Sequence, residues 1–179
     1  MEIIRKIRAN FLHKKYYIIT DGNYMGKTIA FCGTLKGMTE LQIATVKKII
    51  KDEAPTEYRH CDTTADVEIH EWILINNFTE HIVMYPPIND KIRGFSAATS
   101  KVSILPESQL TEGLRRMCFG ADIMICVPHQ DDNIGSGPAV AYEIAKKLNV
   151  GKIFTVMHNG TILQWPTDNI IKMANKIKK

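Results

Sequence analysis

The sequence predicts an α/β fold in which helices cover both faces of a mostly parallel sheet. Three observations support this fold class. From residue 28 onward, short β-branched or apolar runs alternate with longer segments whose apolar residues recur at helical spacing. One short run, "DIMICVP" at 122–128, is apolar almost throughout, as in a strand that is buried on both faces of a parallel sheet. The strict alternation of strand and helix then favours parallel pairing.

Each predicted element follows from a local pattern. Thr39 and Gln42 have the spacing of a capping box, so the first helix should begin there. Pro138 suits the first position of a later helix, and Thr167 is a favourable N-cap for the last one. The predicted strands are 28–33, 57–62, 81–86, 122–128 and 152–157. The predicted helices are 39–53, 65–77, 107–120, 138–149 and 167–179. Together they predict a Rossmann-like three-layer sandwich around about five core strands.

The first 27 residues stand apart from this alternation. The segment "MEIIRKIRANFLHKK" has the pattern of an amphipathic helix, and "YYIITDGNYMG" has that of an edge hairpin around Asp21-Gly22. Such an extension either covers the sheet or serves an oligomer contact. We therefore divide the chain into an N-terminal extension at 1–27 and a single domain at 28–179, a length that one compact core can fill.

The composition is that of an ordinary globular protein, with 45% hydrophobic and 23% charged residues. The formal net charge of +4 comes partly from the terminal "KMANKIKK" and is too small and too local to indicate nucleic-acid binding. The four cysteines are widely spaced and no signal peptide precedes them, which favours buried, reduced thiols and a cytoplasmic location. No apolar run approaches the roughly 20 residues that cross a membrane.

Unusual polar and glycine-containing segments follow three of the predicted strands. They are "CGTLKGMT", "HCDTTAD" and "PHQDDNIGSGP". In open parallel sheets, ligands bind beyond the carboxyl ends of the strands, where the strand order reverses. The first and third segments each lead into a helix N-terminus, which favours phosphate or carboxylate, and glycine lets the backbone approach a ligand closely. Neither segment has the spacing of a dinucleotide fingerprint or a P-loop. A phosphate-bearing small molecule is the expected ligand class.

Five segments carry a resemblance to a known group of proteins. They are "FCGTLKGMTELQ", "ADVEIHE", "YPPIND", "LRRMCFGADIMICVP" and "GSGPAVAYEIAKKLNVGKIFTV". Over about 28–160 the chain resembles the SLOG superfamily, the Rossmann-like group shared by DNA-processing DprA/Smf proteins and LONELY GUY phosphoribohydrolases. Small bacterial members often carry G-T-R-x-G-M-T-x-x-Q in the first segment. Here Leu35 occupies the arginine position, and the basic residue is Lys36.

The resemblance does not extend to the catalytic signature of the LONELY GUY enzymes. These enzymes cleave a ribose 5'-monophosphate from an adenine derivative and carry P-G-G-x-G-T-x-x-E. Aligning Gly137 with the last glycine puts Pro138 at the threonine and Ala141 at the catalytic glutamate. Glu143 lies two residues later, about 200° around the helix. The resemblance therefore implies phosphate binding more directly than LONELY GUY chemistry.

The first functional hypothesis is that the chain binds a nucleotide or nucleotide-derived small molecule for sensing or sequestration, with no cofactor required. Arg115 is included in the site because guanidinium pairs with phosphate in bidentate geometry. The resemblance also implies a homodimer or a higher homo-oligomer. The predicted ligand-binding residues are Gly33, Thr34, Leu35, Lys36, Thr39, Arg115, Pro128, Gly135, Ser136, Gly137 and Pro138.

Two alternative functions stay open. An N-glycosidic nucleotide hydrolase or deoxyribosyl-type transferase would use the carboxylate of Asp62, Asp66 or Glu143. A single-stranded DNA-handling protein would need aromatic residues clustered on the basic segments, a pattern that the sequence lacks. His60 and His70 do not form zinc-ligand spacing with the residues around them, so no metal site is predicted.

One long segment, "YPPINDKIRGFSAATSKVSILP" at 85–106, has two interpretations. Its prolines, basic residues and hydroxyl side chains suit a mobile loop over the crevice. They suit a plain surface connection equally well, and its length only mildly favours a functional role.

Overall fold

The computed structural model describes residues 26–132 and 135–165. In these residues, seven strands form one sheet and four helices flank it. The strands are β1 (Thr28–Gly33), β2 (Glu57–His60), β3 (His81–Met84), β4 (Val102–Ile104), β5 (Ile123–Val127), β6 (Lys152–Val156) and β7 (Ile162–Trp165). The helices are α1 (Glu40–Glu53), α2 (Thr64–Asn76), α3 (Leu110–Cys118) and α4 (Gly137–Lys147), and a short 3-10 helix covers Asp90–Ile92.

The strand order across the sheet is β4-β3-β2-β1-β5-β6-β7. The pairs among β1 to β6 are parallel, and β7 pairs antiparallel with β6. The chain moves outward from β1 to β4 and then returns to place β5 on the other side of β1, so the strand order reverses between β1 and β5. The predicted α/β class, a Rossmann-like sandwich with a mostly parallel sheet, is confirmed.

Each face of the sheet has its own apolar core, and the alternation of side chains along the central strand separates the two. Ile29 and Phe31 of β1 belong to the core beneath α1 and α2. Ala30 and Cys32 belong to the core beneath α3 and α4. Because β1 is buried on both faces, its sequence is apolar at consecutive positions rather than at alternate ones.

The start of α1 agrees with the sequence prediction. The Gln42 N–H donates to Oγ1 of Thr39 over 3.2 Å, and the Thr39 N–H donates to Oε1 of Gln42 over 3.0 Å. This reciprocal pair is the predicted capping box, which is confirmed. At α4 the boundary differs by one position, because Gly137 is the first helical residue and Pro138 the second.

The sheet has two strands that the sequence did not predict. β4 has three residues, and β7 alternates between half-buried and exposed positions. Both lie at the edges of the sheet, where a short and partly exposed strand does not produce an apolar run. The long connection at 85–106 is thus anchored in the sheet through β4.

Several predicted elements lie outside the described residues. They are the helix and the Asp21-Gly22 hairpin of the N-terminal extension, and the last helix at 167–179 with its Thr167 cap. Among the residues that the structure describes, no helix combines the length and the apolar character needed to cross a bilayer.

Candidate functional site

The crevice between β1 and β5 is bordered by the starts of two helices. In the first turn of α1, Nε2 of Gln42 donates to the carbonyl oxygens of Pro128 and Val156, 2.8 and 3.1 Å away. These carbonyls lie at the ends of β5 and β6. A side chain added at Gly137, the first residue of α4, would lie 3.5 Å from Sγ of Cys32 in β1. The β1–α1 loop and the β5–α4 loop therefore border the same crevice.

The β1–α1 loop presents two exposed side chains on a fixed backbone. Oγ1 of the buried Thr34 accepts a hydrogen bond from the N–H of Lys36 over 3.2 Å. Gly37 has a φ of 84°, a left-handed conformation that turns the chain toward α1. Leu35 and Lys36 are exposed, so they are the loop side chains that a ligand in the crevice would meet.

Gly33 has a packing role that differs from the one predicted for it. A Cβ at this position would lie 2.4 Å from Cβ of Ala65 in α2, a distance that side chains do not adopt. The Gly33 N–H also approaches Oδ1 of Asp66, 3.4 Å away. Packing of helix α2 against the end of β1 therefore requires glycine at this position.

Ser136, in the β5–α4 loop, has an unmet hydrogen-bonding capacity. It is the N-cap of α4, but its side chain makes no capping hydrogen bond. Its Oγ is buried and has no hydrogen-bond partner in the described part of the chain. A buried polar group without a partner is unfavourable by about 1–3 kcal/mol and is uncommon in folded proteins. The start of α4 thus holds a hydroxyl without a hydrogen-bond partner, whereas the start of α1 is capped by its own side chains.

Two histidines that the sequence analysis did not single out lie at the ends of β5 and β6. The rings of His129 and His158 meet edge to face, with their centroids 5.7 Å apart. The His129 N–H donates to Oδ2 of Asp132 over 2.9 Å, and Nζ of Lys36 lies 3.8 Å from Oδ2 of Asp131. Nδ1 of His158 is buried and lacks a partner among the residues described. Sheet order alone brings these side chains together, so their spacing in the sequence carries no signal.

The Asp66 carboxylate, a predicted catalytic group, joins α2 to the end of β1. Its Oδ2 accepts from the N–H of Thr63 over 2.7 Å and from Oγ1 of Thr63 over 3.0 Å. Its Oδ1 faces the N–H of Gly33. Asp66 is fully buried, so these donors replace water around the carboxylate.

The Asp62 carboxylate, another predicted catalytic group, holds the segment that follows β3. Its Oδ1 accepts from the N–H of Ser96 over 2.8 Å, and its Oδ2 accepts from Nε of Arg93 over 3.3 Å. Its carbonyl oxygen accepts from the N–H of Gly94 over 2.6 Å. Asp62 is fully buried and has a left-handed φ of 57°. We refer to residues 93–96, which it holds, as the 93–96 turn.

His60 and His70 form a buried chain of hydrogen bonds. Nδ1 of His60 accepts from the Asp62 N–H over 3.0 Å, so the proton of this ring is on Nε2. That Nε2 lies 2.8 Å from Nδ1 of His70, and Nε2 of His70 lies 2.8 Å from the carbonyl oxygen of Ala97. A carbonyl accepts only, so His70 also carries its proton on Nε2. Burial, and secondarily the adjacent His60, lowers the pKa of His70 to about 4.

Arg115 and Glu143 lie away from the crevice. Arg115 is in the last turn of α3, which leads into the start of β5, and its exposed side chain pairs with Glu112 at 3.5 Å. The predicted phosphate contact by Arg115 does not fit this position, because a ligand at the carboxyl ends of the strands lies at the other end of the sheet. Glu143 is exposed and lies 3.8 Å from Nζ of Lys146, whereas Ala141 is fully buried.

The four cysteines offer no reactive thiol, and the described residues contain no metal-binding cluster. All four cysteines are unpaired and buried. Burial raises the pKa of the Cys32, Cys61 and Cys126 thiols well above its ordinary value, which keeps them protonated. Across residues 26–132 and 135–165, no group of three or more His, Cys, Asp or Glu side chains is arranged to hold a metal ion.

A cleft of about 350 Å³ lies beside the crevice, on the side of β2. It is bordered by the β1–α1 loop, the first turns of α2 and the 93–96 turn. Its lining residues are Gly37, Thr64, Val67, Glu68, Arg93 and Gly94.

Comparisons with known proteins identify no relative of this chain. No protein-family model matches the chain. Neither the curated proteins nor the solved structures contain a significant match. The resemblance to the SLOG superfamily therefore stays a prediction from the sequence motifs.

Proposed function

We propose that this protein binds a nucleotide or a nucleotide-derived small molecule in the crevice between β1 and β5, with the phosphate at the start of α4. The observation that carries the proposal is the buried, unpartnered Oγ of Ser136 at the N-cap of that helix. A phosphate oxygen beside Ser136 accepts from this hydroxyl and from the N–H of Gly137, since Pro138 has no N–H, and the helix dipole favours its negative charge.

Lys36 supports the same ligand class from the opposite loop. Its ammonium group lies 3.8 Å from Asp131, and the two side chains are 52% and 64% exposed. Such an exposed pair contributes little to stability and reorganises easily. Lys36 therefore turns toward a phosphate at little energetic cost, although it sits one position from the arginine of the SLOG motif.

Binding without turnover is the form of the proposal that we favour. The carboxylates of Asp62 and Asp66 are buried and hold backbone groups in place. Glu143 faces solvent on the outer side of α4. An N-glycosidic reaction requires a carboxylate beside the anomeric carbon, and these three side chains are engaged elsewhere. The role is then sensing or sequestration of the nucleotide, in a homo-oligomer as the resemblance implies.

The test uses two matched variants of the capping residue. Ser136→Asp and Ser136→Asn both place a favourable N-cap on α4, so both should unfold at or above the temperature of the wild-type protein. Only the aspartate adds a negative charge where we place the phosphate. In calorimetric titrations with nucleoside 5'-monophosphates and with ribose 5-phosphate, Ser136→Asp should bind at least tenfold more weakly than Ser136→Asn.

Equal affinities of the Asp and Asn variants for every phosphate ligand would overturn the proposed position of the phosphate. Incubation of the wild-type protein with the same nucleotides gives a second readout. Release of the free base would show that the protein is an N-glycosidic enzyme. Recovery of unchanged nucleotide would support sensing or sequestration.

A further inference from the structure

Phe95 is exposed and strained, two properties that are unfavourable for a large apolar residue. It is 64% exposed, and its φ is 56°. A left-handed backbone is uncommon for a bulky side chain and is unfavourable relative to glycine. The guanidinium of Arg93 lies over the ring at 5.0 Å from its centroid, so one face of the ring is covered and the remaining surface is open.

The buried Asp62 holds the strained backbone on both sides of Phe95. Asp62 accepts hydrogen bonds from the N–H groups of Gly94 and Ser96, the residues immediately before and after it. A Cβ at Gly94 would lie 2.4 Å from Cγ2 of Val67, so the turn packs tightly against α2. A strained conformation persists only where its surroundings determine it this strongly, and such positions cluster at ligand-binding sites.

Phe95 directly follows two residues that line the 350 Å³ cleft, Arg93 and Gly94. Gly37 lines the same cleft, and its loop, the β1–α1 loop, also borders the crevice. We propose that the exposed face of Phe95 stacks on the base of the bound nucleotide, with Arg93 supporting the ring from behind. This inference rests on the proposed function and adds to it a binding subsite for the base. Aromatic side chains stack on any base, because every base has a π face.

The test compares three side chains at position 95 and two ligands. Phe95→Leu keeps an apolar side chain but removes the stacking surface, and it should weaken binding of nucleoside 5'-monophosphates about tenfold. Phe95→Trp should bind them at least as well as the wild-type protein. Ribose 5-phosphate has no base, so calorimetry should give the same affinity for it in all three proteins.

A stability measurement separates this role from a structural one. Phe95→Gly removes the ring and relieves the left-handed backbone, so its unfolding temperature should equal or exceed that of the wild-type protein while its nucleotide affinity falls as in Phe95→Leu. A lower unfolding temperature in Phe95→Gly would assign the ring to packing and overturn the inference.

The failure of this inference is distinguishable from failure of the proposed function. If the wild-type protein binds nucleotides and Phe95→Leu binds them equally, the base subsite is wrong and the phosphate site stands. If the wild-type protein binds ribose 5-phosphate as tightly as the nucleotides, the base makes no contact and the subsite is again wrong. If it binds no phosphate ligand, the proposed function and this inference fall together.

Discussion

After β2, the buried carboxylates of Asp62 and Asp66 accept hydrogen bonds from the chain, whereas Lys36, Ser136 and His158 at the crevice are exposed or keep a polar atom without a partner among the described residues. We call this crevice, which the loops after β1, β5 and β6 form, the region beyond β5. Asp62 and Asp66 are fully buried, and each carboxylate accepts from at least two donors of the chain. Ser136 and His158 each keep a buried polar atom without a partner in the described residues, and Lys36 is half exposed. In the sheet, β1 lies between β2 and β5.

The difference separates polar groups whose hydrogen bonds are made within the protein from polar groups that keep unused hydrogen-bonding capacity. A buried carboxylate whose oxygens all accept from backbone and side-chain donors is already solvated by the protein and has little to offer a substrate. A buried hydroxyl without a partner at a helix start keeps its capacity to donate and accept hydrogen bonds. We therefore expect loss of the Asp62 or Asp66 carboxylate to change stability, and changes at Ser136 or Lys36 to change ligand affinity.

The largest effect should come from Asp66→Ala. This variant leaves the N–H and hydroxyl of Thr63 and the N–H of Gly33 without their acceptor in a buried site. We expect a loss of about 3 kcal/mol in the free energy of unfolding, measured by urea denaturation. The matched control is Asp131→Ala, whose carboxylate is 64% exposed, with an expected change below about 0.5 kcal/mol. Similar losses in the two variants would remove the distinction between the regions.

A smaller effect should be a pH dependence of the free energy of unfolding that arises from the protonation of His70. Its pKa is about 4 in the folded protein, below the ordinary value of 6.5, so between these values the unfolded chain binds more protons. Stability should fall as the pH drops from 6.5 toward 4, by up to about 1.4 kcal/mol per pH unit.

Urea denaturation between pH 5 and 6.5 measures this dependence above the range in which most carboxyl groups titrate. His70→Gln retains an amide that can donate to the carbonyl of Ala97 but does not take up a proton in this range. Its stability should vary less with pH than that of the wild-type protein. If the stability of the two proteins varied equally with pH, protonation of His70 would not contribute to the pH dependence of stability.

The fold was largely predictable from the sequence, whereas the division between the two regions was not. The capping box at Thr39 and the buried run of β5 are local patterns, so they could be recognised without knowledge of the tertiary structure. The donors to Asp62 come from a turn more than 30 residues further along the chain. His129 and His158 meet only because β5 and β6 are neighbours. Neither the donors to Asp62 nor the contact between His129 and His158 can be inferred from the spacing of these residues in the sequence.

The smallest effect on stability, and the sharpest test of the region beyond β5, should come from Lys36→Ala. The Lys36–Asp131 pair is exposed on both sides, so its loss should change the free energy of unfolding by less than about 0.5 kcal/mol. If Lys36 contacts the phosphate, the same variant should bind nucleoside 5'-monophosphates severalfold more weakly, and the wild-type affinity should fall with added salt more steeply than that of the variant. Lys36→Arg is the matched control and should retain binding. A variant that loses stability but keeps its affinity would place Lys36 among the structural groups, and the phosphate would then depend on the backbone of α4 and on Ser136 alone.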